Sequence, residues 1–123
     1  MKSIRIGILA ALMAFASIFA TATPGSASTF YAWSVVDVPY DDTLNVRAWP
    51  SSKSQILVAY PNYIVLSMTG KCTGGVHLGG IAGWPAWKQR ETVRFAWCQV
   101  WIDPNGMGQY RAAWVYGKYI RPA

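Results

Sequence analysis

Histidine, cysteine and acidic residues are scarce in this chain of 123 residues, which has one His, two Cys and five Asp/Glu. Each scarcity excludes a chemistry. A lone imidazole, His77, and no C-x-x-C pair argue against a zinc site, which takes three or four such ligands. The carboxylates are Asp37, Asp41, Asp42, Glu91 and Asp103. Glycoside cleavage needs two acids facing each other across a cleft, and the adjacent Asp41-Asp42, just after Pro39-Tyr40, suits a turn instead. Gly79-Gly80 lacks the Lys-Ser/Thr and the strand-to-helix context of a phosphate loop. Long runs with a 3.6-residue hydrophobic period are also missing. A Cys–His hydrolase would need a free cysteine beside His77 and an orienting group, and would leave the other cysteine unpaired. We therefore expect no catalytic residue, no metal and no cofactor.

What is present begins with the N-terminus. Lys2 and Arg5 precede an apolar run from Ile6 to Ala22, and Pro24-Gly25-Ser26-Ala27 follows. That is the pattern of a secretory signal peptide spanning 1–27, with a second possible cut after Ala22. The rival reading is a membrane anchor, but the run is shorter than the roughly 20 apolar residues a spanning helix needs. The remaining residues, 28–123, are expected to form one domain, periplasmic or secreted, with no transmembrane segment after cleavage. In that compartment Cys72 and Cys98 read as a disulfide; the sharper alternative is a reactive or metal-binding thiol.

All seven Trp and all seven Tyr lie after the cut. Without Lys2 and Arg5, nine Lys/Arg face five Asp/Glu, a net charge of about +4. The cations are scattered, whereas nucleic-acid binding asks for a dense basic stripe, so no nucleic-acid partner is expected. Attraction to anionic envelope polymers or lipid surfaces stays compatible with the charge.

Short strand signals with Gly, Pro, Asn and Asp punctuation run through the domain. They fall at Phe30 to Val38, Leu44 to Arg47, Ile56 to Tyr60, Tyr63 to Met68, Arg94 to Ile102, Tyr110 to Tyr116 and Lys118 to Ile120. Asp103-Pro104-Asn105-Gly106 reads as a hairpin turn. Trp97 and Trp114, inside alternating strands, are expected in the core. The stretch 73–92 breaks the rhythm with five glycines and two Trp, and reads as an inserted Gly/Trp-rich loop with one short strand at Val76 to Leu78.

Three blocks carry a resemblance: Leu44-Asn45-Val46-Arg47-Ala48-Trp49-Pro50-Ser51; Cys72 with Trp97-Cys98-Gln99-Val100; and Ala113-Trp114-Val115 followed by Tyr119-Ile120. Together they resemble the bacterial SH3 (SH3b) domain family, in its small exported, disulfide-containing branch, over roughly Val35 to Arg121. Trp49 and Ala113 stand where that family has glycine. The resemblance implies an all-β, SH3-like barrel of five to six antiparallel strands, with Cys72 and Cys98 bridging neighbouring strands. It also implies a non-catalytic binding module whose partner is peptidoglycan or an envelope protein. Aromatic residues beside turns suit stacking on sugar rings or gripping extended peptides. The expected ligand-binding residues are Tyr40, Trp49, Trp84, Trp87 and Tyr110, with Arg47 and Lys88 supplying charge. A protein that docks an envelope or host partner through the insertion, without a wall ligand, is the alternative.

Overall fold

The computed structural model describes residues 30–123, so the signal peptide expected at 1–27 lies outside the described residues. Seven strands form one antiparallel sheet: β1 (Tyr31–Val35), β2 (Leu44–Arg47), β3 (Ile56–Tyr60), β4 (Val65–Cys72), β5 (Trp97–Ile102), β6 (Arg111–Tyr116) and β7 (Ile120–Pro122). Their spatial order is β3-β2-β6-β5-β4-β1-β7. The fold is mostly β, as expected, with seven strands where five to six were predicted. β3 and β7 are free edges, so the sheet is not closed into a barrel.

Alternation builds the interior. Leu44 and Val46 of β2, Leu66 and Met68 of β4, Cys98, Val100 and Ile102 of β5, and Ala113 and Val115 of β6 are all buried. They join Trp33 and Val35 of β1 and Ile120 of β7 in a single cluster. A flat sheet would hold β2 and β7 five strands apart, about 24 Å at 4.8 Å per strand. Sharing one core requires the sheet to curl. Register breaks between Val46 and Arg47 and between Met68 and Cys72 mark where it bends, as bulges do. In the second break Gly70 has φ 107°, a conformation that favours glycine.

The same alternation corrects one expectation. Trp97 and Trp114 are not core residues: they lie half-buried on the opposite face of β5 and β6, the face that also carries Gln99 and Tyr116. Trp33, 3 % exposed, is the indole that fills the interior.

The stretch 73–92 is not a loop. A 3₁₀ turn, η1 (Thr73–Gly75), is followed by α1 (Leu78–Ile81) and α2 (Ala86–Val93). The expected strand at Val76 to Leu78 is reduced to one bridge between Lys71 and His77. Pro85 stands immediately before α2, where its fixed φ and missing N–H cost nothing. Leu78, Ile81 and Val93 insert into the core. The buried Gln89 amide donates to the carbonyls of Ala82 and Trp84, at 3.3 and 2.8 Å, tying the two helices together. Arg90 pairs with Asp37 just beyond β1. Eight residues are too few to display a helical period, and two of the three apolar anchors lie among glycines. The insertion therefore reads as a loop in sequence yet folds as a cap on the sheet.

The Cys72–Cys98 disulfide is present and joins directly opposed residues of β4 and β5. It closes the loop that contains η1, α1 and α2, so the cap is held at both ends.

Candidate functional site

A cleft of about 600 Å³ opens between the outward side of β5 and β6 and the segment leading into β2, and is walled by residues far apart in sequence. β5 and β6 pair Trp97 with Tyr116. In an antiparallel pair, directly opposed side chains share a face, and these two rings lie 5.2 Å apart, centre to centre. Tyr116 in turn lies 6.4 Å from Tyr119, which ends the 3₁₀ turn η2 (Gly117–Tyr119) leading into β7. Three half-buried aromatic rings thus form a continuous strip.

The facing wall comes from the segment between β1 and β2. Pro39, Asp42 and Thr43 line it, and Asn45 and Arg47 continue it along β2. This wall is well held. Asn62 donates to the Val38 carbonyl at 2.9 Å and accepts from the Val38 N–H at 3.0 Å. The Asp42 N–H donates to the Pro39 carbonyl. Arg47 lies opposite Trp114 across the β2–β6 junction, and its Nη1 donates to the Ser54 carbonyl at 2.8 Å. The guanidinium is thereby fixed at the cleft edge with further N–H donors to offer. Volume, ring faces and one charge of each sign describe a site that can stack and hydrogen-bond a ligand.

Of the residues expected from sequence to bind ligand, only Arg47 lines this cleft. Tyr40 stands fully exposed in the turn between Pro39 and Asp42. Trp49 projects from the β2–β3 turn, whose backbone is stitched by the buried Ser54: its Oγ accepts from the Trp49 N–H and donates to the Trp49 carbonyl. Tyr110 is exposed at the β5–β6 hairpin, whose turn at Asp103 is as predicted. Trp84, Trp87 and Lys88 come together on the helical cap, with the Lys88 ammonium 4.5 Å from the Trp84 ring centre. The seven residues are therefore split over separate surfaces, because they sit in different turns. Trp97, Tyr116 and Tyr119, the rings that line this cleft, are not among those seven, although Tyr116 lies beside a turn as the expected binding aromatics do. The readable signal was polar Gln99 between Trp97 and Trp101, which marks that side of the strand as outward.

Elsewhere the chemistry is sparse. Both cysteines are consumed in the disulfide, leaving no thiolate for a Cys–His pair. The His77 Nδ1 accepts from the Gly79 N–H at 3.0 Å, with the ring edge-on to Tyr31. Among the described residues no cluster of three His, Cys, Asp or Glu converges, and no helix is long and apolar enough to cross a membrane.

One titration is displaced. Burial pushes the Tyr60 phenol above its usual value, and the Asp103 carboxylate adds to the effect. Above pH 10 the unfolded chain then releases this proton more readily than the folded one, so the unfolded state binds fewer protons and stability falls as pH rises. The Tyr60 contribution is complete below pH 10 and is lost above it. Thermal melts of wild type and Tyr60→Phe between pH 9 and 11.5 should diverge, with the wild type losing more stability across that window.

The chain was compared with models of known protein families, with characterised proteins and with solved structures, and none of them matches it.

Proposed function

We propose that this chain is an exported, non-catalytic binding module of the SH3b type that grips an extended segment of cell-wall material in the cleft between Pro39–Arg47 and the Trp97–Tyr116–Tyr119 strip. On this reading residues 1–27 are the signal peptide, the mature domain works in the periplasm or outside the cell, and its partner is peptidoglycan. The observation that carries the proposal is the aromatic strip itself: three adjacent half-buried rings, Trp97 and Tyr116 on the outward side of β5 and β6 and Tyr119 at the edge of the core in η2. Aromatic faces kept open to solvent suit stacking against sugar rings or extended peptide. Asp42 and Arg47 at the cleft edge supply one charge of each sign, matching a peptide that bears both amine and carboxylate groups. The curled antiparallel sheet around one core, pinned by Cys72–Cys98 at neighbouring strands, supports the resemblance carried by the three sequence blocks.

Retention on purified peptidoglycan tests the proposal. Tyr116→Ala removes the central ring, and an interface anchor of this kind is worth about 2 kcal/mol, so binding should weaken about thirtyfold. Asp42→Lys, at an exposed rim position, should alter retention without lowering the melting temperature. Wild-type levels of retention by both variants, or no retention of the wild type, would refute the reading.

A further inference from the structure

The cleft leaves a second surface unexplained. α2 buries Gln89 and Val93 against the sheet. At about 100° per residue, the opposite side of the helix and its C-terminal continuation carry Trp87, Lys88, Glu91, Arg94 and Phe95. Exposure agrees with that geometry: Trp87 is 70 % and Phe95 75 % exposed, and Trp84 beside them is 40 % exposed. Isolated exposed apolar side chains are ordinary, but Trp87 and Phe95 share one side of α2 and its continuation, with Glu91 between them, and exposed rings gathered on one side mark an interaction surface. Cations are interleaved with the rings. Lys88 lies over Trp84, and Arg94 is 5.5 Å from the Phe95 ring centre. Neither is paired with a carboxylate among the described residues, where the one ion pair is Arg90–Asp37. Trp87 also lines a cleft of about 300 Å³ in which Arg90, Arg94 and Lys118 meet the carboxylates of Asp37 and Glu91.

We propose that this face of the helical cap is a docking surface for an anionic lipid bilayer. Trp87 and Phe95 enter the interfacial layer, while Lys88, Arg94 and Lys118 meet lipid phosphates. With Arg90 neutralised by Asp37, Lys88, Arg94 and Lys118 outnumber Glu91 on this face, and that cationic balance selects an anionic occupant. The outward rings select a bilayer over a fully hydrated polymer, since burial of indole and phenyl in the headgroup region is favourable and a polymer has no apolar layer to receive them. The surface shares no lining residue with the aromatic cleft. Lys118 lies 5.6 Å from the Tyr119 ring centre, so the inference is tested at Trp87, Lys88, Arg94 and Phe95, none of which lines that cleft.

Flotation of the full chain with vesicles tests it, using phosphatidylcholine alone and phosphatidylcholine with one-third phosphatidylglycerol. All variants share the same apolar N-terminal segment, so the readout is the difference between vesicle types and between variants. The wild type should partition about tenfold more strongly onto the anionic vesicles, with the excess lost at high salt. Lys88→Gln/Arg94→Gln should abolish that excess. Trp87→Ser/Phe95→Ser should weaken anionic-vesicle binding about tenfold, and Trp49→Ser/Tyr110→Ser, on other turns, should change nothing. The charge-only variant keeps the test valid should loss of the rings perturb folding. Equal wild-type binding to both vesicles would overturn the proposal, as would patch variants that bind like wild type. So would a loss confined to retention on anionic wall polymer.

Discussion

Gly117→Ala is expected to destabilise the domain by about 3 kcal/mol, at the upper end of what overpacking costs. A Cβ at this position would lie 1.8 Å from the Val93 carbonyl oxygen and 3.0 Å from that of Ala96. Both obstacles are main chain, so no rotamer change relieves the clash. The close approach has a structural cause. The Gly117 N–H donates to the Ala96 carbonyl at 2.8 Å, which draws η2 against the end of α2 and joins the helical cap to the last strand. Adding a methyl forces the two apart, exposing Val93 and loosening Ile120, both fully buried. Gly117 also lies between Tyr116 and Tyr119, so the same displacement moves two of the three rings of the cleft. Urea unfolding should show the loss of stability, and peptidoglycan retention should fall with it. Gly83→Ala, where an added Cβ meets nothing within 4 Å, should stay within about 0.5 kcal/mol of wild type.

Replacing both cysteines by alanine is expected to remove about 3.5 kcal/mol of stability, the chain-entropy value for a closed loop of this length. For a domain of this size that corresponds to a melting temperature lower by about 20 °C. The loop spans 26 positions and contains the whole helical cap, so the bond limits the freedom of the segment that supplies Leu78, Ile81 and Val93 to the core. Dithiothreitol should lower the melting temperature of the wild type toward that of Cys72→Ala/Cys98→Ala and leave the variant unchanged. If the two unfold at the same denaturant concentration, the cap is held by packing alone.

Local signals were legible where one short-range rule acts alone. Leu44-Asn45-Val46-Arg47 alternates and is followed by Trp49-Pro50, and β2 occupies those four residues. Ile56 to Tyr60, ended by Pro61, is β3 without adjustment. Asp103-Pro104-Asn105-Gly106 holds its turn through the Gly106 N–H and through an aspartate that accepts from the Met107 and Gly108 N–H groups. Boundaries drifted where strands run into the cap: Arg94 to Ala96 reads as the start of β5 but turns at the end of α2, because its carbonyls and N–H groups serve the helix terminus and Gly117.

Two features came only from the folded chain, for separable reasons. Side chains on a strand alternate, so a pattern such as Trp97-Cys98-Gln99-Val100-Trp101-Ile102 fixes two faces, and Gln99 alone marks one as outward against the two large indoles that share it. Packing of β2, β4 and β6 chose the Cys98-Val100-Ile102 face, and thereby turned Trp97 and Tyr116 outward to line a cleft. The helical cap is likewise a long-range product. Its short helices have too few turns to be stable alone and exist because Leu78, Ile81 and Val93 find a curled sheet to bury them. The sequence by itself determined the centres of β1 to β6, the turn at Asp103 and the cysteine pair, which depend on neighbours a few residues away or on a count of two, while Lys118 and Tyr119, read as strand, fold as a 3₁₀ turn before β7. Tertiary structure decided which rings became core and which became surface, since that depends on what lies across the sheet.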